Sequence, residues 1–345
     1  MRTSYSKKHK AAISVLSGLT AALLLLTGCS KSEETVYQIP EDRKLIVYTA
    51  HKADVYEPII KEFEERTGIF VELKAGDTLA LFDELQQDAP GTFDVMFGGG
   101  VENFEECRDY LEPYKVSEID QIAEQYRTEG DAYTPFSVLP TVFIYNNKLV
   151  YPVAAPRTWE ELQTDRWKGK IAFADPTKSG SSYTALCTML QVSEKTLEDF
   201  TGALDGYLSP SSVAVLEEVN AGTRLVGITT EGMARQKILE GADITLIYPT
   251  DGTSAIPDAT AIVKGAKHME NAKLFLEFTV SSDVQRLVEE VFFRRTVRND
   301  MEEYAAPEQT KLKTIDYDIH WASQEKEKIL NTWETLQGRT DEKVD

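Results

Sequence analysis

Hydroxyl side chains gather at a few points of the chain, each time just ahead of an apolar-periodic stretch. Ser181, Ser182 and Thr184 follow Gly180; Ser211 and Ser212 follow Ser209-Pro210; Thr230 stands directly before Glu231. A helix start leaves its first N–H groups without intrahelical partners, and the helix dipole adds partial positive charge there. With hydroxyl donors beside them, such starts suit a tetrahedral oxyanion, and Gly180 lets backbone approach it closely. Taken singly, each Ser or Thr at a helix start is also an ordinary cap. Glu231 and Asp251 offer acceptors for ligand hydroxyls or an amine. Glu231 would equally complement a helix dipole, and Asp251-Gly252-Thr253 would equally make a tight turn. His51, Asp77 and Gly99, each just after a strand, complete the expected ligand-binding set. Neither a G-x-S-x-G elbow, an H-E-x-x-H pair nor a Walker-type loop occurs, so no enzyme is expected.

The elements that must position these residues can be read from periodicity. Lys44 to Thr49 reads as a strand. Asp54 to Arg66 carries Tyr56, Ile59, Ile60 and Phe63 at helical spacing and closes at Gly68. Ile69 to Leu73 is a second strand. Asp77-Thr78 opens a helix with Leu81, Phe82 and Leu85 inward, and Phe93 to Phe97 is a third strand ending in Gly98-Gly99-Gly100. This alternation implies a parallel α/β sheet with right-handed crossovers. Pro135 to Tyr145 is extended and fits a crossing between lobes. Strands at Ile171–Ala174, Leu225–Thr229, Ile244–Tyr248 and Ala259–Val263 alternate with helices at Ser181–Leu190, Ser193–Leu204, Ser211–Asn220, Glu231–Leu239 and Met269–Thr279. The expected architecture is α/β, with two Rossmann-like lobes. Lobe 1 takes residues 43–138 and 251–300, and lobe 2 takes 139–250 and 301–345. Ligands of open α/β sheets sit outside the carboxyl ends of the strands, and the loops at Ala50-His51, Gly76-Asp77, Gly98 to Gly100, Ser179 to Thr184, Thr229 to Glu231 and Pro249 to Thr253 are expected there.

Composition sets the outer limits. The chain has 345 residues, with 57 acids against 37 bases. Such an excess of acid excludes a nucleic-acid partner, which calls for a basic face. Cys107 and Cys187 have no metal spacing and are expected as buried thiols, with a disulfide between them left open. No metal site and no cofactor are expected. His268 and His320 are expected at the surface, and Arg294, Arg295 and Arg298 form a basic cluster that fits a salt-bridged surface face or a phosphate contact.

The N-terminus fixes the compartment. Arg2, Lys7, Lys8 and Lys10 precede an uncharged, mostly apolar run from Ala11 to Leu26, which fits a secretory signal better than a membrane span. The run ends in Leu26-Thr27-Gly28-Cys29, which resembles the bacterial lipobox. That resemblance implies removal of residues 1–28, lipidation of Cys29 and an extracytoplasmic protein held to the cell membrane through its lipid. Residues 29–42 then form a polar tether. Loss of the four leader bases leaves 33 bases against 57 acids, a net charge of −24. An anionic ligand must therefore be held by local geometry against the overall field.

Several segments in order resemble ABC-importer solute-binding proteins of the ferric-iron, phosphonate and sugar-phosphate type. They are Tyr48-Thr49-Ala50 through Gly68, Trp159-Glu160-Glu161-Leu162 with Trp167-Lys168-Gly169-Lys170, Asp175-Pro176 leading to Ser179–Thr184, Val226-Gly227-Ile228-Thr229, and Pro257 to His268 followed by Glu270-Asn271-Ala272. The resemblance covers about Lys44 to Asp300. It implies the type II periplasmic-binding-protein fold, hinge closure on a ligand, a monomer, and docking of the closed form to an ABC permease. A sensor histidine kinase is an alternative partner, because it would read the same closure. The ferric-iron branch typically holds Fe3+ with paired adjacent tyrosines from the second lobe. Here Gly227-Ile228-Thr229-Thr230-Glu231-Gly232 contains none, leaving His51, Glu231 and Asp251 as an unusual metal shell. The hydroxyl-rich helix starts favour a small phosphorylated anion.

Overall fold

The structure is a computed structural model that describes residues 39–301 and 312–338. The expected signal segment, Cys29 and most of the tether lie outside the described residues. The elements below belong to one unit that begins at Pro40.

Strand β1 (Lys44–Thr49) is followed by helix α1 (Ala53–Thr67), which buries Val55, Ile59, Ile60 and Phe63 and ends at Gly68 in the left-handed region, φ 68°. Glycine takes that conformation without the Cβ penalty, so the chain reverses there into β2 (Phe70–Ala75). Helix α2 (Thr78–Gln87), strand β3 (Val95–Gly100), helix α3 (Val101–Glu106) and the short β4 (Leu111–Glu112) follow. Long strand β5 (Thr134–Asn146) leads to α4 (Trp159–Leu162), β6 (Ile171–Ala172), α5 (Gly180–Val192), α6 (Leu197–Leu204) and α7 (Ser212–Ala221). Next come β7 (Val226–Thr230), α8 (Glu231–Leu239), β8 (Ile244–Ile247), β9 (Ala255–Val263), α9 (Met269–Val280), α10 (Ser282–Glu290) and β10 (Arg295–Thr296). Helices α11 (Ile319–Gln324) and α12 (Lys326–Leu336) close the described chain.

The strands run in the order β2-β1-β3-β9-β5-β7-β6. Only part of this is the expected parallel sheet. β2, β1 and β3 are parallel, whereas β9 and β5 enter antiparallel, so the sheet is mixed. β5 belongs to both halves. Thr134 to Pro140 pairs with β9, and from Thr141 onward the partners are β7 and β8. The switch falls at Pro140, whose missing N–H removes one ladder donor where the sheet changes partners. At the switch, Thr141 N donates to Ser254 O at 3.1 Å.

The C-terminal helices touch both halves. Lys326 donates to Asn103 Oδ1 and Glu106 Oε2 on α3, while Trp333 packs its ring on Phe173 and Phe200. The Tyr183 hydroxyl of α5 donates to Ala322 O. Both Cys107 and Cys187 are buried free thiols. His268 departs from its expected surface position: it is 9% exposed, because its Nδ1 pairs with Asp94 Oδ2 at 2.7 Å and its backbone N–H with Asp94 Oδ1. Among the described residues, no helix is long and apolar enough to cross a membrane.

Candidate functional site

The carboxyl ends of β1, β2, β3, β6 and β7 open on one cavity, with about 1120 Å³ of non-atom space including its mouth. Its far walls come from different halves, and β5 and β9 form its floor through Leu139, Thr141, Ile256, Pro257 and Asp258.

From the first half comes His51. Thr49 Oγ1 donates to Phe97 O and accepts the His51 N–H, which fixes the turn after β1. The imidazole then packs edge-on against Phe97, 4.3 Å between centroids. Gly98 must be glycine here: its φ is +91°, and a Cβ would lie 2.8 Å from the imidazole. Burial, with the neighbouring Arg294 charge, pushes the His51 pKa well below the usual histidine value, so the ring is neutral. Nδ1 is 3.5 Å from Arg294 Nη1, while Nε2 is buried with no protein partner. Arg294 also donates to Asp258 Oδ2 at 2.9 Å and Ser137 Oγ at 3.2 Å. Asp258 Oδ1 in turn accepts from Ser137 N and Oγ. This buried network holds a guanidinium at the cavity wall.

The second half supplies helix starts. Ser179 caps α5 by accepting from Ser182 N, and Ser211 caps α7 by accepting from Ala214 N. Thr230 stands at the start of α8 with no side-chain bond to that helix. Each start leaves early N–H groups unpaired within its helix, next to the cavity. Lys178 and Lys52 are exposed at the mouth.

Of the residues expected from sequence, His51, Asp77, Gly99, Ser181, Thr184, Ser211, Ser212 and Thr230 line this one cavity. Three do not. Ser182 is buried, with its hydroxyl donated to Ser179 Oγ at 3.1 Å, so it completes the cap. Glu231 is fully buried and spends both oxygens on Arg295, at 2.7 and 3.1 Å, and on the Tyr248 hydroxyl. Asp251 accepts the Trp159 N–H at 2.8 Å, and the indole N–H is taken by Gly252 O. That pair anchors α4 to a tight turn, the alternative reading of Asp251-Gly252-Thr253.

Reasoning from sequence missed Thr78, Asp258 and Asp175 as wall residues, and held Ser179 only as part of the Ser179–Thr184 loop. It left Arg294, Arg295 and Arg298 together between a salt-bridged surface face and a phosphate contact, whereas the structure sets Arg294 at the cavity and commits Arg298 and Arg295 to carboxylates away from it. The signal for Ser179 was present, two residues before Ser181 at the helix start. For Arg294 no local signal exists, because its partner Asp258 is 36 positions away.

Fold and cavity together are those of a two-lobed solute-binding protein. The model of the family of bacterial extracellular solute-binding proteins matches residues 92–320, and the chain belongs to that family. An uncharacterized protein of Haemophilus influenzae is 27% identical over 351 residues, covering 95% of this chain and 97% of its own. A putative 2-aminoethylphosphonate-binding periplasmic protein of Salmonella typhi is 26% identical over 185 residues, 50% of this chain and 53% of that protein, so the match spans about half its length. The periplasmic binding protein AfuA from Actinobacillus pleuropneumoniae, solved with exogenous fructose-6-phosphate bound, has a TM-score of 0.77 at 23% identity. It covers 86% of this chain and 98% of AfuA, and shows a shared fold.

Proposed function

We propose that this protein is the lipid-anchored solute-binding component of an ABC importer and captures a small organic phosphate or phosphonate outside the cytoplasmic membrane. The observation that carries the reading is the meeting of the α5, α7 and α8 starts with Arg294 at one cavity. Unpaired N–H groups, hydroxyls and a guanidinium are the donor set an oxyanion needs in an otherwise acidic chain. The ligand meets the second-half helix starts first. Engagement by His51 and Arg294 of the first half then stabilises the closed form, which a membrane permease reads. Ferric iron, the alternative cargo, finds poorer support: among the described residues no tyrosine lines the cavity, and no group of three or more His, Cys, Asp or Glu suited to a metal occurs.

The test is thermal unfolding of the purified chain against hexose phosphates, phosphoglycerates, 2-aminoethylphosphonate, inorganic phosphate and ferric citrate. A ligand confined to the folded state raises the midpoint by an amount set by its concentration over its dissociation constant. A rise with a phosphorylated compound and none with iron is the expected result. A rise with ferric citrate alone would overturn the anion reading. Separately, Cys29→Ser should move the protein from the membrane fraction to the soluble fraction of cells. An unchanged distribution would remove the lipid anchor.

A further inference from the structure

Glu102, the second residue of α3, is fully buried and stands just behind the cavity wall. A Cβ on Gly100, which lines the cavity, would lie 2.6 Å from Glu102 Oε2 and 2.7 Å from Oε1. Oε1 accepts the Thr184 hydroxyl at 2.5 Å, a bond running from one half to the other, while Oε2 is buried without a protein partner. Thr184 has one hydroxyl proton and two acceptors in reach, and the second, Gly180 O, is farther away at 3.1 Å. An ionised carboxylate is the stronger acceptor, so the proton points to Glu102. Thr184 Oγ1 then has only lone pairs left for the cavity it lines.

We propose that Glu102 is a positioning residue that makes Thr184 an acceptor for a hydroxyl or ammonium group of the ligand, so that the site favours an organic oxyanion carrying such a donor over bare phosphate. The proposal rests on the anion-site reading above. It explains why a hydroxyl at a helix start, ordinarily one more donor for an oxyanion, is turned away from that task.

The arrangement reverses when Glu102 is protonated. A carboxylic acid donates to Thr184 Oγ1, and the hydroxyl proton is released toward the cavity or Gly180 O. Burial pushes Glu102 up from the ordinary carboxylate range, against the Thr184 hydrogen bond and the Lys326 charge. Tyr183 and Cys187 of α5 and Tyr317 before α11 also face this carboxyl group. Burial raises all three, Cys187 to about 12, so they stay neutral where Glu102 titrates. The charged neighbour is the Lys326–Glu106 pair. Acidification should therefore erode the preference for a donor-bearing ligand.

The experiment is calorimetric titration of the full chain with 2-aminoethylphosphonate and with inorganic phosphate between pH 4.5 and 8, for wild type, Glu102→Gln and Thr184→Val. The ligands' own titration is common to all three proteins and cancels in the comparison. The wild-type preference for aminoethylphosphonate should fall about tenfold toward acid, in line with one charge-supported hydrogen bond. It should not fall in Glu102→Gln, whose amide does not titrate, and should be low throughout in Thr184→Val. A Glu102→Gln profile that tracks wild type at every pH would overturn the proposal. If neither compound binds, the anion reading itself fails, and the 13C carboxyl resonance of Glu102 decides the pair. Its titration midpoint should move up in Thr184→Val, which has lost the donor; an unmoved midpoint would overturn the proposal as well.

Discussion

Ser181 and Ser182 are neighbours in the chain with different tasks. Ser181 lines the cavity, whereas Ser182 gives its N–H and its hydroxyl to Ser179. Ser181→Ala should weaken ligand binding and, since Ser181 Oγ also lies 3.2 Å from Ser179 Oγ, cost no more stability than Ser182→Ala. Ser182→Ala should leave affinity nearly intact and cost about 1 kcal/mol of stability, the scale of one modest hydrogen bond. Paired titration and urea denaturation separate these outcomes, and equal loss of affinity in both would put Ser182 in the site. Glu231 makes the same point with charge. Its carboxylate is fully buried on Arg295, so Glu231→Ala strands a guanidinium that is only 19% exposed and should destabilise by about 3 kcal/mol in denaturant unfolding. A stability loss below about 1 kcal/mol would show the pair to be as weak as an exposed one.

At the scale of elements, the strand ends set the walls of the cavity, and β3 does so through glycines. Gly99 has φ +110°, and a Cβ there would lie 2.6 Å from Phe82 Cε2. Gly99→Ala should thus cost about 1–3 kcal/mol for the backbone alone, with more for moving Phe82, and should lower affinity by displacing the wall. Urea unfolding beside titration checks it, and a variant as stable as wild type would mean that β3 relaxes freely. Most elements were legible because their signals are local. β1 falls at Lys44–Thr49 and α8 at Glu231–Leu239, as their patterns indicate. Helix starts at α5 and α7 were legible to within a residue or so because Ser and Thr announce them. What escaped was set at long range. Arg294, Arg295 and Arg298 look alike in sequence, and only distant carboxylates assign one to the cavity and the others elsewhere. Likewise, Glu231 reads equally as a ligand contact or a dipole complement until Arg295 is brought to it, and the antiparallel entry of β5 and β9 follows from crossings that periodicity does not reveal.

At the scale of the whole molecule, buried titratable groups set how stability responds to pH. Burial, with help from Glu290, raises Glu289 to about 7, above its ordinary 4.5. A raised folded pKa contributes stability that is fully present below the unfolded value and lost as pH rises through about 7. Glu289→Gln should therefore unfold at a higher temperature than wild type at pH 8 and lose that advantage at pH 4.5; a pH-independent difference would discard the assignment. His51 acts with the opposite sign. Its depressed pKa supplies stability above the ordinary histidine value of 6.5 that is lost as pH falls below it. One further feature governs how the molecule comes apart. Because β5 contributes its first half to one sheet region and its second half to the other, neither region can shed that strand without exposing the other's edge. Heating should therefore give a single endotherm, with calorimetric and van't Hoff enthalpies in agreement, rather than two separately melting lobes.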